Sequence, residues 1–368
     1  MNDKKESLAA QQFAALRSES ARLGADPLQI QGAGGNTSIK QGDIMWIKAS
    51  GKWLENAADE DLFVPVRRSP LLAALEASDP RAEKSVDFVV DELNPHALRP
   101  SIETTLHAVM MQRVVIHIHC VDTIALAIRQ DAQTILGEHL GAFHWAFVPY
   151  TRPGLPLSRS ISTVMNDDTD VLVLGNHGLV VAADSVADAV ALLERVRFAV
   201  KCQPRKIQDL PDKTDGLAAR VNPTICKALM HRIKQAAFLP ALQPDAHAIA
   251  FDRSGLAVAA GGSLYPDHVI FLGKGTVVAM PGEDVDAVVQ RCQLQNAETP
   301  TSIVFPGEGV VLPSDATAGQ QAMARCLSDV CLRVPDGAAI HYLNDEQNHE
   351  LLHWEAEQYR QALNQPGS

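Results

Sequence analysis

The chain has 368 residues, 46% hydrophobic and 21% charged, a balance that supports two cored domains and argues against long disorder. Its formal net charge is −12 and no block of five or more basic residues occurs, which excludes general affinity for nucleic acid or anionic lipid and requires a local site for any anionic substrate. The six cysteines lack C-x-x-C spacing and the density of a disulfide framework; with a charged N-terminal stretch and no apolar run of about 18 residues, the expectation is a cytoplasmic protein with neither a secretory leader nor a membrane span.

Residues 6–23 place Leu8, Phe13, Leu16 and Leu23 at helical spacing, with Gly24 where a helix would stop. A glycine-rich turn follows, and then alternation that predicts two short strands joined at Gln41-Gly42-Asp43. In "PSIETTLHAVMMQR" Ser101 is placed to cap a helix, with Ile102, Leu106, Val109 and Met110 on one stripe. Next comes "RVVIHIHCVDTIALAI", an apolar strand pattern interrupted by His117 and His119. "DVLVLGNHGLVVAAD" predicts a buried strand, a tight turn and a second strand, followed by an amphipathic helix beginning at Ser185. Pro204–Asp215 is polar and punctuated by proline, as a linker would be. Beyond it the expectation is a helix near 222–237, strands near 247–260, 268–279 and 302–311, and helices near 316–332 and 345–364. That is a second α/β unit of ordinary domain size.

The two strand histidines are the first chemical signal. Side chains two apart on a strand share a face, so His117 and His119 aim two ring nitrogens the same way. They fit either a pair of core histidines or two ligands of a metal ion, which in a catalytic zinc site usually has three protein ligands and an open position. His177, in the tight turn of "GNHGLVV", is the best third ligand, because α/β sheets present functional groups at strand ends; a solvent-facing turn histidine is the alternative. Glu103 precedes the histidine strand on a helix, one turn from its start, and shares a helical face with His107. The loop "GAGGNTS" has neither the G-x-x-x-x-G-K-[ST] nor the G-x-G-x-x-G pattern, so a nucleotide fold is not expected. It is either a plain tight turn or a backbone nest for an anion, to which Asn36, Thr37, Ser50 and Ser101 could add donors.

Taken together, S-x-E-x-x-x-H, then H-x-H, then H-G at a later turn, with G-G-N-T-S and K-A-S-G upstream, resemble the class II aldolase/adducin family over most of residues 6–205. "LYPDHVIFLGKGTVV", "SIVFPGEGVVL" and "HELLHWEAEQYRQAL" resemble the later part of the aldolase region of bacterial rhamnulose-1-phosphate aldolase/dehydrogenase-type proteins. The resemblance implies a three-layer αβα class II aldolase-like sandwich over 1–210 and a smaller C-terminal α/β accessory domain over 211–368. It implies His117, His119 and His177 as ligands of a divalent ion, commonly zinc, with manganese, cobalt or iron as alternatives, and Glu103 as the proton-transfer group. Asn36, Ser50, Gly51 and Ser101 match positions that hold a substrate phosphate, and His107 reads as a helix-packing residue.

The implied activity is aldol or retro-aldol cleavage of a small hydroxylated carbonyl compound, a ketose phosphate first, through a metal-stabilised enediolate. An epimerase, dehydratase or decarboxylase on the same scaffold is the alternative, and a non-catalytic assembly module of the adducin kind a third. The partner class is a small sugar or sugar phosphate, and the assembly implied is a homotetramer. Two departures stand out: Ile102 replaces a second hydroxyl residue beside Ser101, and residues 131–147 contain no tyrosine to act as a second proton donor. His139, His144 and Tyr150 are the substitutes, and His268 is expected to be structural.

Overall fold

The computed structural model describes residues 2–207, 222–233, 237–296 and 299–355. In chain order the first half forms α1 (Asn2–Gly24), β1 (Asn36–Gln41), β2 (Ile44–Lys48), β3 (Phe63–Arg67), α2 (Arg68–Glu76), α3 (Thr104–Val109), β4 (Val114–Ile118), α4 (Val121–Ala127), α5 (Ala132–Leu140), β5 (Trp145–Val148), α6 (Leu155–Val164), β6 (Val171–Leu174), β7 (Gly178–Ala183) and α7 (Val186–Ala199). Helix α1 ends where the sequence indicated. A Cβ on Gly24 would lie 2.2 Å from the Glu55 amide nitrogen, so only glycine lets the 54–56 turn pack against the helix end.

The seven strands form one sheet in the order β3-β2-β1-β4-β7-β6-β5, antiparallel throughout except for the β5–β6 pair. Register fixes what each face carries. Asn36 lies opposite His117 and Ser38 opposite Val115, while His117 lies opposite Val180 and Val115 opposite Ala182. These residues therefore share one face. On that face Val115, Leu172, Leu174, Val180 and Ala182 pack with Leu106 of α3 and with Leu157 and Ile161 of α6. The other face carries Thr37, whose hydroxyl meets Ser20 of α1 at 2.7 Å, and α7 packs against β4 and β7. The result is a three-layer αβα arrangement, with both histidine-strand neighbours pointing into the α3/α6 layer.

The remaining elements are α8 (Pro223–Met230), β8 (Phe238–Pro240), α9 (Arg253–Ala260), α10 (Pro266–Leu272), β9 (Val277–Val278), α11 (Val285–Asn296), β10 (Ile303–Phe305), β11 (Gly309–Pro313), α12 (Ala318–Cys331) and α13 (Asp345–His353). They build a smaller α/β unit on the sheet β8-β11-β10-β9, with a core that includes Ile225, Leu229, Phe238, Val288, Ile303, Phe305 and Val311. The compact units are Met1–Ala127 with Asp131–Lys201, and Ile128–Gln130 with Cys202–Ser368. Ile128–Gln130 joins the second unit by pairing with 339–341: the Gln130 N–H donates to Ala339 at 2.9 Å and His341 N–H to Ile128 at 2.8 Å.

Several expectations need correction. The strands expected near 247–260 and 268–279 are mostly helical: a 3-10 segment at Pro244–Phe251, then α9, then α10. Asp252 caps α9 by accepting the Gly255 N–H at 2.6 Å, and Pro266 opens α10, so capping chemistry decides what short apolar runs leave ambiguous. Only Val277–Val278 is a strand there. Arg205, expected within a linker, is anchored instead: its Nε donates to Asp252 at 3.0 Å and its backbone N–H to Leu332 at 2.8 Å. The boundary placed at 210/211 and the end of the helix expected to reach 364 lie outside the described residues.

Candidate metal centre

Glu103, His117, His119 and His177 are all buried, and each offers a ligand atom within 4.8 Å of the others'. Different local devices deliver them. His117 sits in β4 and points into the α3/α6 layer by strand alternation. His119 is not in the strand, which ends at Ile118, yet the chain leaving β4 keeps its Nε2 at 3.2 Å from that of His117. His177 is the last residue of the Gly175–His177 turn joining β6 to β7, where Asn176 takes a left-handed φ of 54° and the His177 N–H closes onto Leu174 at 3.1 Å. Gly178 is sterically required: a Cβ there would lie 2.5 Å from the Ile118 carbonyl oxygen and 3.2 Å from His117 Cε1.

Glu103 differs from its expected placement. Helix α3 begins at Thr104, so Glu103 is the residue before it and Ser101 is not a side-chain cap of that helix. The backbone 99–101 instead runs beside 48–50: Ser101 N–H donates to Lys48 at 3.0 Å, Ser50 N–H to Arg99 at 2.9 Å, and Ala49 bridges Pro100. This brings the Ser50-Gly51 turn alongside Ser101 and aims Glu103 at the histidines. Its Oε2 lies 3.3 Å from His117 Nε2 and its Oε1 3.4 Å from His177 Nε2.

His117 stands edge-on to His119 and to His177, each with centroids 5.0 Å apart, and the His119 and His177 rings are tilted at 5.1 Å. His117 Nδ1 lies 3.1 Å from the Leu179 carbonyl oxygen; a carbonyl only accepts, so Nδ1 carries the hydrogen and Nε2 presents a lone pair to the cluster. Burial by itself would raise the Glu103 carboxyl, but the neighbouring His117, His177 and His119 and a hydrogen bond from Asn36 bring it down to about 2. An ionised carboxylate and inward-facing ring nitrogens repel one another unless positive charge lies among them. The 3.2–3.4 Å separations, within a cluster whose ligand atoms all lie within 4.8 Å of one another, leave room for an ion with bonds of about 2.0–2.1 Å. The donor set therefore fits a divalent metal ion.

A hydrogen-bonded chain, built from partners remote in sequence, stands behind the cluster. Asn36 Nδ2 donates to Glu103 Oε2 at 2.8 Å and to Ser101 Oγ at 3.1 Å. Asn36 Oδ1 accepts from His107 Nε2, and His107 Nδ1 meets Ser38 Oγ at 2.7 Å. His107 is thus more than the packing residue it resembled. The i,i+4 spacing from Glu103 was visible, but its partners Asn36 and Ser38 lie on a strand about 70 positions away, which no local pattern reveals. Ser101 Oγ accepts twice, from Asn36 and from the Glu103 N–H at 3.2 Å, so its own O–H remains to be offered to an acceptor.

The profile of the class II aldolase and adducin N-terminal domain matches residues 19–204, just over half of the 368-residue chain. The chain belongs to the class II aldolase/adducin family. It is 28% identical over 173 residues to a Bacillus subtilis protein described as the uncharacterized oxidoreductase YuxG; that match covers 43% of this chain and 24% of the relative, so the chain spans about a quarter of that curated protein's length. Among solved structures, the N-terminal class II aldolase domain of a conserved Thermoplasma acidophilum protein is 25% identical with a TM-score of 0.41, covering 50% of this chain and 92% of the other. An aldolase II superfamily protein from Pseudomonas syringae is 20% identical with a TM-score of 0.39, covering 52% and 73%.

Class II aldolases depend on a divalent ion, and this member of the family carries a buried cluster that can hold one. Among the described residues no helix is long and apolar enough to cross a membrane. Of the residues read as substitutes for the second proton donor, His139 is exposed and donates Nδ1–H to Ala199 at 2.8 Å, His144 is exposed and Tyr150 half-buried. His268 lies at the start of α10, accepting the Leu264 N–H on Nδ1 at 3.2 Å and meeting the Gly275 carbonyl with Nε2 at 3.2 Å. That arrangement is structural.

Proposed function

We propose that the chain is a metal-dependent carbon–carbon lyase that cleaves, by retro-aldol chemistry, a small hydroxylated carbonyl compound, a ketose phosphate first among candidates. The observation that carries this reading is the convergence of three buried imidazoles and one buried carboxylate on a single point. His117, His119 and His177 would hold the ion; three imidazoles favour zinc, while manganese, cobalt and iron accept the same donors. Bound there, the ion supplies Lewis-acid stabilisation of the negative charge that develops on substrate oxygen as the C–C bond breaks.

The chain's own residues supply the rest. Glu103 is the acid/base: its Oε2 is held by Asn36, while Oε1 accepts no hydrogen bond among the described residues. Oε1 is thus the oxygen available to take a proton and return it to carbon. Ser101 offers a donor-only hydroxyl to an acceptor oxygen of the substrate, and the Ser50-Gly51 turn beside it completes the candidate anion site. The accessory unit is assigned no chemistry, and a fourfold assembly, checked by light scattering, goes with the family reading.

Metal analysis and a substrate panel test the proposal. Protein purified without chelator is expected to carry one divalent ion per chain; a chain without stoichiometric metal would favour an assembly module instead. Ketose 1-phosphates and hydroxy-keto acids are the panel, with the carbons of each product counted. Products of the same carbon number as the substrate would replace the lyase by an epimerase or a dehydratase.

A further inference from the structure

We propose that His349 and His353, on the exposed face of α13, form a second and weaker site for a late first-row divalent ion such as zinc, nickel or copper. The site shares no residue with the buried cluster and does not depend on the reading of Glu103.

The sequence here is H-E-L-L-H, which on a helix sets two imidazoles at i and i+4, on one face and one turn apart. Helix α13 turns that face to solvent: Asn348 and Leu351 are its buried residues, while His349, Glu350 and His353 are exposed. The two rings lie 18° from parallel, with centroids 3.9 Å apart. His353 Nδ1 is 2.9 Å from the His349 carbonyl oxygen. A carbonyl only accepts, so Nδ1 carries a hydrogen and Nε2 is the nitrogen left to bind. Histidines that ligate metals usually show this arrangement, the other ring nitrogen being held by a carbonyl or carboxylate. To share one ion the rings need only splay from 3.9 Å towards the 5.0–5.1 Å at which the rings of the buried cluster stand.

Electrostatics favour a cation at this place. The pair lies at the C-terminal end of α13, the negative end of the helix dipole, and Glu346 and Glu350 each precede one of the histidines by three residues on the same face. The H-E-x-x-H pattern also spells a zinc-peptidase motif, but that chemistry takes a third protein ligand. Among the described residues the only group of three or more ligand-type side chains that could hold an ion is the cluster around Glu103. The geometry therefore points to binding by two imidazoles, with water in the remaining positions. Two exposed rings hold an ion less tightly than three buried ones beside a carboxylate, so the pair fills after the cluster and releases its ion during purification.

Zinc chloride, titrated into the metal-free full chain and followed by calorimetry and equilibrium dialysis, tests the proposal in the wild type, H349Q, H353Q, the double variant and E350Q. Glutamine is a good helix former, and the substituted face is exposed, so the variants are expected to fold. The wild type should show a second class of site that each single variant weakens at least about tenfold, because the second imidazole binds as an intramolecular ligand. E350Q should keep it within about threefold, since its side chain is not a ligand. Excess zinc should slow amide exchange over 349–353 in the wild type and not in the double variant. No second class in the wild type, loss of the site in only one of the two single variants, or a second ion retained by the double variant would overturn the proposal. If instead the tighter class is absent while the histidine-pair class is present, the buried-cluster reading fails and this one stands.

Discussion

At the scale of single residues, two substitutions separate the chemistry of the site from its geometry. Glu103→Gln keeps the shape of the side chain and its contact with the Asn36 amide, but removes the proton acceptor. Turnover on any substrate that scores should fall about 10²–10⁴-fold, the usual worth of a positioned acid/base, with metal content retained by the three imidazoles. Full turnover in that variant would remove Glu103 from the mechanism. Gly178→Ala acts differently, because its Cβ would lie 2.5 Å from the Ile118 carbonyl oxygen. Either β7 or β4 must move, and both carry the histidine cluster. We expect a loss of about 1–3 kcal/mol in chemical denaturation together with substoichiometric zinc by elemental analysis. Unchanged stability with full zinc would show that the strands yield without disturbing His117.

Whole elements show how far the sequence could be read. The α1 helix, the β1–β2 pair, the histidine strand and the β6–turn–β7 unit were legible because each carries a local signal: helical spacing ending at Gly24, alternation around Gly42, an apolar run bounded by turns. The four clustered side chains were legible by family resemblance, since periodicity alone gave only two histidines on one face. What stayed hidden depends on partners remote in sequence. Ser101 reads as a cap but pairs with the Lys48 strand end, and His107 reads as packing but binds Asn36 and Ser38.

Helix α10, where the sequence pattern predicts a strand, holds the buried His268. Burial pushes His268 down from an ordinary 6.5 to about 4, against a backbone hydrogen bond to Gly275 that favours the charged ring; protonating Nδ1 would also break its bond from the Leu264 N–H. Between those values the unfolded chain binds a proton that the folded chain refuses, so stability is lost as pH falls from 6.5 towards 4. The loss is on the order of 3 kcal/mol. His268→Asn, whose amide oxygen can accept the same N–H, should be less stable at neutral pH but flatter across that window when denaturation is followed against pH. An equally steep acid limb in the variant would place the titrating group elsewhere.

For the molecule as a whole, the energetic weight of the metal site falls on strands from distant parts of the chain. Asn36, Glu103, His117, His119 and His177 come from β1, the segment before α3, the end of β4 and the β6–β7 turn. An ion held by the three histidines beside Glu103 would tie the end of β4 to the β6–β7 turn. A ligand bound only by the folded state stabilises it by about 2.7 kcal/mol when present at 100 times its dissociation constant, and the gain appears first in the segments whose opening would break the site. The second unit has its own sheet and core, and no described cluster of three or more ligand-type side chains lies in it. Adding zinc to chelator-treated protein should therefore slow amide hydrogen exchange in 36–41, 114–118 and 178–183, while 303–313 exchanges as before. Protection that rises equally in both sets would mean the ion stabilises the chain as one cooperative body; protection that rises only in 303–313 would place the ion elsewhere and remove the histidine cluster as its site.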